Sequence, residues 1–221
     1  MPTAHKLLRL LAVVLPQPLK RALFRRVLGW DVAADAYVGL SYIGADAVKL
    51  GPGSHIGHFN IVRNIRSLEL GRHAYVKDFN HIFGGTPAGM QGERSFRLGD
   101  NSNIMSRHFF DVGGTIAIGR DSLIGGRGTQ IYTHSIITGG GGHRWRVADM
   151  VIGDGAMVFA SAVLVHCHIP PGAIVAAGAV LTKSYEPEPG QRLLIAGNPA
   201  IIVRRQAIRG EDPAPASAAA D

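Results

Sequence analysis

The sequence predicts an all-β chain wound as a parallel β-helix of six-residue repeats, with a short helix at either end. Residues 152–180 read as five near-copies of one unit, IGDGAM, VFASAV, LVHCH, IPPGAI and VAAGAV, each opening on a large aliphatic. A period of six matches neither the 3.6 of a helix nor the 2 of a plain strand; it fits a chain coiling with short flat faces and tight corners. The cadence recurs upstream as aliphatic–glycine steps at Ile43-Gly44, Leu50-Gly51, Ile56-Gly57, Leu70-Gly71, Leu98-Gly99, Ile118-Gly119 and Ile124-Gly125. With three faces per coil, roughly eighteen residues advance the rod by one strand spacing of about 4.8 Å.

Three segments follow. Residues 1–37 form a basic N-terminal helical segment, 38–198 the rod, and 199–221 a short helix and a Pro/Ala/acid-rich tail of disordered composition. Within the rod, Ile152, Val158, Leu164, Ile169, Val175 and Leu181 are expected to stack inward, and Ala156, Ala162, Ala173 and Ala179 to fill crowded turns. The 29 glycines of the 221 residues suit a chain with many corners. Two breaks interrupt the repeat: a loop over 83–96, and a second over 135–150 with four consecutive glycines. At the C-terminus, Ile201 to Ile208 mixes apolar and basic residues in a pattern expected to close the last coil as a helix.

Charge is uneven. Residues 1–30 hold Lys6, Arg9, Lys20, Arg21, Arg25 and Arg26 and no acid, which accounts for most of the formal +7. Leu19, Ala22, Leu23, Val27 and Leu28 recur at helical spacing with the cations mostly on other faces. This amphipathic helix can cap the open end of the rod, or it can meet anionic lipid. No basic stripe with interleaved aromatics runs through the repeat, so no nucleic-acid partner is expected. Lys6 to Leu15 is too short to span a bilayer and is broken by Pro16 and Pro18 without a cleavage site. Cys167 is the single cysteine, so no internal disulfide forms and a reducing compartment fits.

Loops leaving a rigid rod are where repeat proteins carry function. His134 stands at the root of the second break, where the rod can hold its side chain toward a neighbouring molecule; an ordinary histidine titrates near ~6.5 and can accept a proton at neutral pH. A surface or structural histidine is the competing reading. SRHFFDVGG, residues 106–114, lies one coil earlier and offers Asp111 as an orienting carboxylate and His108 as an acceptor contact, with an ordinary corner role open for both. His143 lies in the same break as His134 and is the next candidate base. His166 and His168, two apart, admit a metal reading, but no metal is expected. The chain has no GxxxxGK[ST] phosphate loop and no GxSxG elbow.

The hexad array, THS at 133–135 followed by a loop and IGDGAMVFASAV, the later VAAGAVLTKS, and AGNPAIIVRR ending at Arg205 together resemble the left-handed β-helix O-acyltransferases. The nearest branch is the sugar and exopolysaccharide acetyltransferases, which includes colanic-acid, maltose and galactoside acetyltransferases. LPQPLKRALFRRVLGW followed by AYVGLSYIG is similar to acyltransferases of capsule, exopolysaccharide and lipopolysaccharide assembly. The resemblance covers roughly 16–206. It implies a left-handed rod, a homotrimer, acetyl-CoA as acyl donor, a sugar or glycan acceptor, and His134 as general base. It further implies main-chain contacts to the pantetheine arm at Ala160 and Ala177, with Thr182, Lys183 and Arg204 near the nucleotide end; a solvated rim is the plain alternative for the two cations. It places the protein in the cytoplasm, with peripheral contact at an anionic inner-membrane surface as an open reading. LVHCH departs from the pattern by one residue. The competing functions are nucleotide-sugar N-acyl transfer, a non-catalytic scaffold, and a γ-class carbonic anhydrase, whose zinc site needs three histidines.

Overall fold

The computed structural model describes residues 3–85, 91–139 and 142–207. The repeats form a three-faced rod in which each coil returns to the same three inward columns. On the first face Val32, Leu50, Leu70, Leu98, Ile118, Ile152 and Ile169 pair rung to rung through parallel strands. The second column runs Val38, Ile56, Val76, Ile104, Ile124, Val158, Val175 and Ile195. The third runs Ile43, Val62, Ile82, Phe110, Ile131, Leu164 and Leu181. All are buried, as are the four corner alanines. The aliphatic–glycine steps are the ends of first- and second-face strands with their corners, except Ile43-Gly44, which lies within the strand Tyr42–Leu50 on the third face. A Cβ on Gly99 would lie 2.6 Å from the carbonyl carbon of Gly119 on the next coil, closer than any side chain tolerates.

A second ladder is polar. Asn60 donates its amide N–H to Ser41 Oγ at 2.9 Å, Asn80 N donates to Asn60 Oδ1 at 2.9 Å, and His108 N donates to Asn80 Oδ1 at 2.9 Å. Thr129 N then donates to His108 Nδ1 at 3.1 Å. These groups sit at one corner of successive coils and satisfy main-chain donors that the turn leaves without strand partners.

The short repeat LVHCH turns its corner with His166 at φ 47°. Cys167 points inward beside Met150, fully buried, and burial pushes its thiol up to about 12.

Both ends differ from expectation. The N-terminal helical segment holds two helices where one amphipathic stretch is expected: α1 (Thr3–Val14), then α2 (Gln17–Ala22), which continues into one wider π turn at Leu23–Val27. Phe24 and Trp30 pack together with ring centroids 4.7 Å apart and close the first coil. The cations expected on solvated faces are partly consumed by this cap. Lys20 is 1% exposed, and its ammonium donates to the carbonyls of Val38 at 2.9 Å, Gly39 at 2.7 Å and Val13 at 3.2 Å. Arg25 donates to Val32 O at 2.6 Å, and Arg21 donates to Ala34 O. The cap is therefore both apolar and charge-anchored.

At the other end no helix forms over 200–207. Ala200–Ala207 is a strand, antiparallel to Gln191–Gly197. The β-branched run Ile201-Ile202-Val203 favours extended backbone, and Gln191–Gly197 offers an open edge once it has joined the second face. The strand fills that edge with Arg204 and Arg205 outward, which blunts further pairing. Ile208 and the tail beyond it lie outside the described residues.

Replacing Lys20 by methionine keeps the stem and removes the ammonium's hydrogen bonds to the carbonyls of Val13, Val38 and Gly39. It is expected to lower unfolding free energy by roughly 1.5–3 kcal/mol, read as a lower melting temperature, whereas Arg26→Glu at an exposed position leaves melting within experimental error.

Candidate active site

The second break is a built element. His134–Gly139 and Gly142–Val147 pair antiparallel, with His134 opposite Val147 at the root and Thr138 opposite His143 near the tip. Ile136 faces Trp145 across the hairpin. Of the glycine run that reads as an irregular loop, Gly139 and Gly142 are paired across the hairpin.

His134 is held from three sides. Its Nδ1 lies 2.8 Å from Asp111 Oδ1, with the side chains only 17% and 11% exposed. Both atoms are buried, and among the described residues neither has another hydrogen-bond partner. Trp145 packs edge-on against the ring, centroids 5.5 Å apart. Gly113 lies beneath it: a Cβ there would stand 3.1 Å from His134 Cβ and 3.4 Å from Nδ1. The register explains why a residue so far back in sequence arrives here. Asp111 ends a third-face strand and pairs with Tyr132, so one coil separates it from His134.

Thr133, fully buried, fixes the turn that carries Asp111. Its hydroxyl donates to Asp111 O at 2.7 Å and accepts from Gly113 N at 2.7 Å and Gly114 N at 3.0 Å. Nothing in the sequence reading singled out Thr133, although its place beside His134 in THS is the signal that could have found it. Burial raises the Asp111 carboxyl above its ordinary range, against the opposing pull of His134. One rung on, burial and then Arg146 lower the His166 imidazole and favour its neutral form.

The other candidates divide. His108 is 2% exposed; its ring is a rung of the corner ladder, and burial lowers it to about 4. It is a structural histidine and not an acceptor contact. The repeat itself holds the clue, because HFN at 58–60, DFN at 78–80 and SRH at 106–108 occupy one corner in turn. His143 stands at the hairpin end remote from His134, and its side chain lies outside the described residues.

Ala160 and Ala177 stack at the corner entering the third face, where Gly178 N donates to Ala160 O at 2.9 Å. Thr182 and Lys183 leave the third face after Val180–Leu181, two rungs beyond Gln130–Tyr132 and hence on the side of His134. Both are exposed, with Lys183 Nζ 5.7 Å from the Tyr185 ring centre. Arg204 is exposed on the terminal strand opposite Leu194. The five therefore fall into three places on the rod, with the width of one face between the alanines and Lys183.

A concavity of about 560 Å³ runs along the first face by Glu69, Arg97, Asp100 and Asp154 and includes no candidate residue. Some of its charges are paired, Arg97 with Glu69 at 3.6 Å, and Asp154 with Arg120 outside the concavity at 2.9 Å. Among the described residues no cluster of three or more His, Cys, Asp or Glu side chains could hold a metal.

Comparison with solved structures bears on this geometry. A hexapeptide-repeat acetyltransferase of Vibrio cholerae O1 biovar eltor, crystallised with acetyl coenzyme A, superposes with a TM-score of 0.51 at 20% identity, over 91% of this chain and 84% of that one. The rod is a left-handed hexapeptide-repeat β-helix. A polysialic acid-specific acetyltransferase aligns with 82% of this chain and 88% of its own at 17% identity and a TM-score of 0.48. No protein-family model matches the chain, and no curated protein sequence does.

A carboxyl whose folded-state pKa is raised contributes stability below its unfolded value and loses it as pH rises through the folded value. Asp111→Asn is therefore expected to raise the melting temperature at pH 7. The gain should close as pH falls through 3.8, where the unfolded-state aspartate is itself protonated. Thermal melts of both proteins from pH 3 to 8 check the sign.

Proposed function

We propose that the chain is an acetyl-CoA-dependent acyltransferase that moves an acetyl group to a hydroxyl of a sugar or glycan, in exopolysaccharide, capsule or lipopolysaccharide assembly. The observation that carries this reading is the His134–Asp111 pair at the root of the hairpin. Nδ1 is committed to the carboxylate side, which leaves Nε2 to take a proton. As Nε2 removes the acceptor's hydroxyl proton, the oxygen attacks the thioester carbonyl and a C–O bond forms. The C–S bond then breaks, and the imidazolium returns its proton to the departing thiolate. Asp111 stabilises the imidazolium formed in between, and Trp145 and Gly113 hold the ring in place. No acyl-enzyme is required; positioning and one proton transfer suffice for an acyl donor already reactive.

Several features support the donor. The Vibrio cholerae protein of the same fold was crystallised with acetyl coenzyme A. Lys183 lies on the corner shared with His134, and Arg204 is exposed; both are suited to the phosphates of a nucleotide, with Thr182 beside Lys183. The main chain at Ala160 and Ala177 would meet the pantetheine amides. Use of a coenzyme A thioester places the reaction in the cytoplasm.

A homotrimer completes the reading. Ile136 and Ile137 project from the hairpin at 55% and 41% exposure beside the site, and a neighbouring copy would cover them.

His134→Ala is expected to lower kcat by roughly 10²–10⁴-fold with the chain still folded, measured as acyl-CoA consumption across a panel of glycans, free sugars and nucleotide sugars. Turnover within a few-fold of wild type would move the base elsewhere, and acylation of an amino-sugar nitrogen would replace the hydroxyl acceptor. Light scattering is expected to give three chain masses, and a stable monomer would refute the shared site.

A further inference from the structure

Helix α1 carries an apolar stripe that faces away from the rod. Leu7, Leu10, Leu11 and Val14 are 63%, 56%, 53% and 69% exposed, and their spacing of three and four places them on one side of the helix. The opposite side is fixed: Arg9 and Ala12 are buried, Arg9 lies over the Trp30 ring at 5.6 Å, and Lys20 grips Val13 O near the helix end. The stripe is thus presented outward by an anchored helix. Soluble chains seldom leave so ordered an apolar row uncovered.

Charge indicates what covers it. Lys6, Arg25 and Arg26 remain exposed in this segment, although Arg25 and Arg21 each donate to a main-chain carbonyl and Lys20 is buried, and no acidic residue occurs before Asp31. A second copy of the same segment would bring cation against cation. An anionic bilayer surface supplies both the opposite charge and an apolar layer at the right depth. The twelve residues of α1 span about 18 Å, short of the ~30 Å hydrocarbon core, so the helix must lie in the plane of the surface. We infer that α1 is a peripheral membrane-docking helix, inserting Leu7, Leu10, Leu11 and Val14 among anionic lipids with Lys6 and Arg26 at the headgroups.

The surface uses none of the residues around His134, and its occupancy is read without any acyl donor, so this inference and the catalytic reading fail independently. The full chain is sedimented with vesicles rich in phosphatidylglycerol and with vesicles of phosphatidylcholine alone. Wild type is expected to bind the anionic vesicles and bind the neutral ones far more weakly. Leu10→Asp with Leu11→Asp is expected to weaken binding at least about tenfold, and Lys6→Glu with Arg26→Glu by about tenfold or more at low salt but little at high salt. All four side chains are exposed, so unchanged melting curves verify the fold. The inference is overturned if wild type ignores anionic vesicles at low salt, or if the leucine pair binds as wild type does. It is equally overturned if the leucine pair lowers the oligomer mass in light scattering, which would assign the stripe to a second copy.

Discussion

Registered stacking is the constraint on which the rest of the molecule depends. Each inward side chain must land on the one below it, because the main-chain hydrogen bonds of a parallel rung are made only to its neighbours. Extra residues can therefore enter only at corners and must return the chain to the same column. Both breaks obey this. Leu70 still pairs with Leu98 across the first, and Ile118 with Ile152 across the second. The hairpin bearing His134 is thus an insertion whose two feet are held by rungs that pair as if it were absent.

That support makes an otherwise unfavourable arrangement tenable. A buried carboxylate is costly, and the Asp111 turn is kept in place by Thr133, whose hydroxyl meets three main-chain groups. At this corner burial works against the charge of Asp111, an arrangement met more often at functional sites than elsewhere. The neighbouring corner ladder shows the other solution. His108 is buried as well, yet with its ring nitrogen accepting a main-chain N–H it serves only the turn.

The rod was legible because its signal is local and repeated: Ile152, Val158, Leu164, Ile169, Val175 and Leu181 stand where their spacing puts them. His134 and Asp111 were legible as separate candidates, and their contact follows from a register that only the coil count supplies. What was misread lacks such a signal. Glycines 139–142 carry no side-chain alternation, so the pairing of Ile136 with Trp145 was hidden on either side of them. The mix of apolar residues and two arginines from Ile201 on resembles a helix, but the β-branched run Ile201-Ile202-Val203 leans to strand, and the open edge of Gln191–Gly197, a tertiary feature, decides it. The buried Lys20 was misassigned for a similar reason: lysine is rarely enclosed, and only the carbonyls of Val13, Val38 and Gly39 make it possible here.

The enclosed thiol of Cys167 gives the molecule a native clock. With its proton held up to about 12 and no surface exposed, it can react with an alkylating reagent only after the coils around Met150 and Leu181 have parted. In a solenoid, where each coil is stabilised mainly by its neighbours, such parting can begin at one end without the other. The single sulfur, beside Ile169 and six rungs beyond Val32 at the capped end, yet close to the C-terminal strand pair, would time the fraying of that end alone.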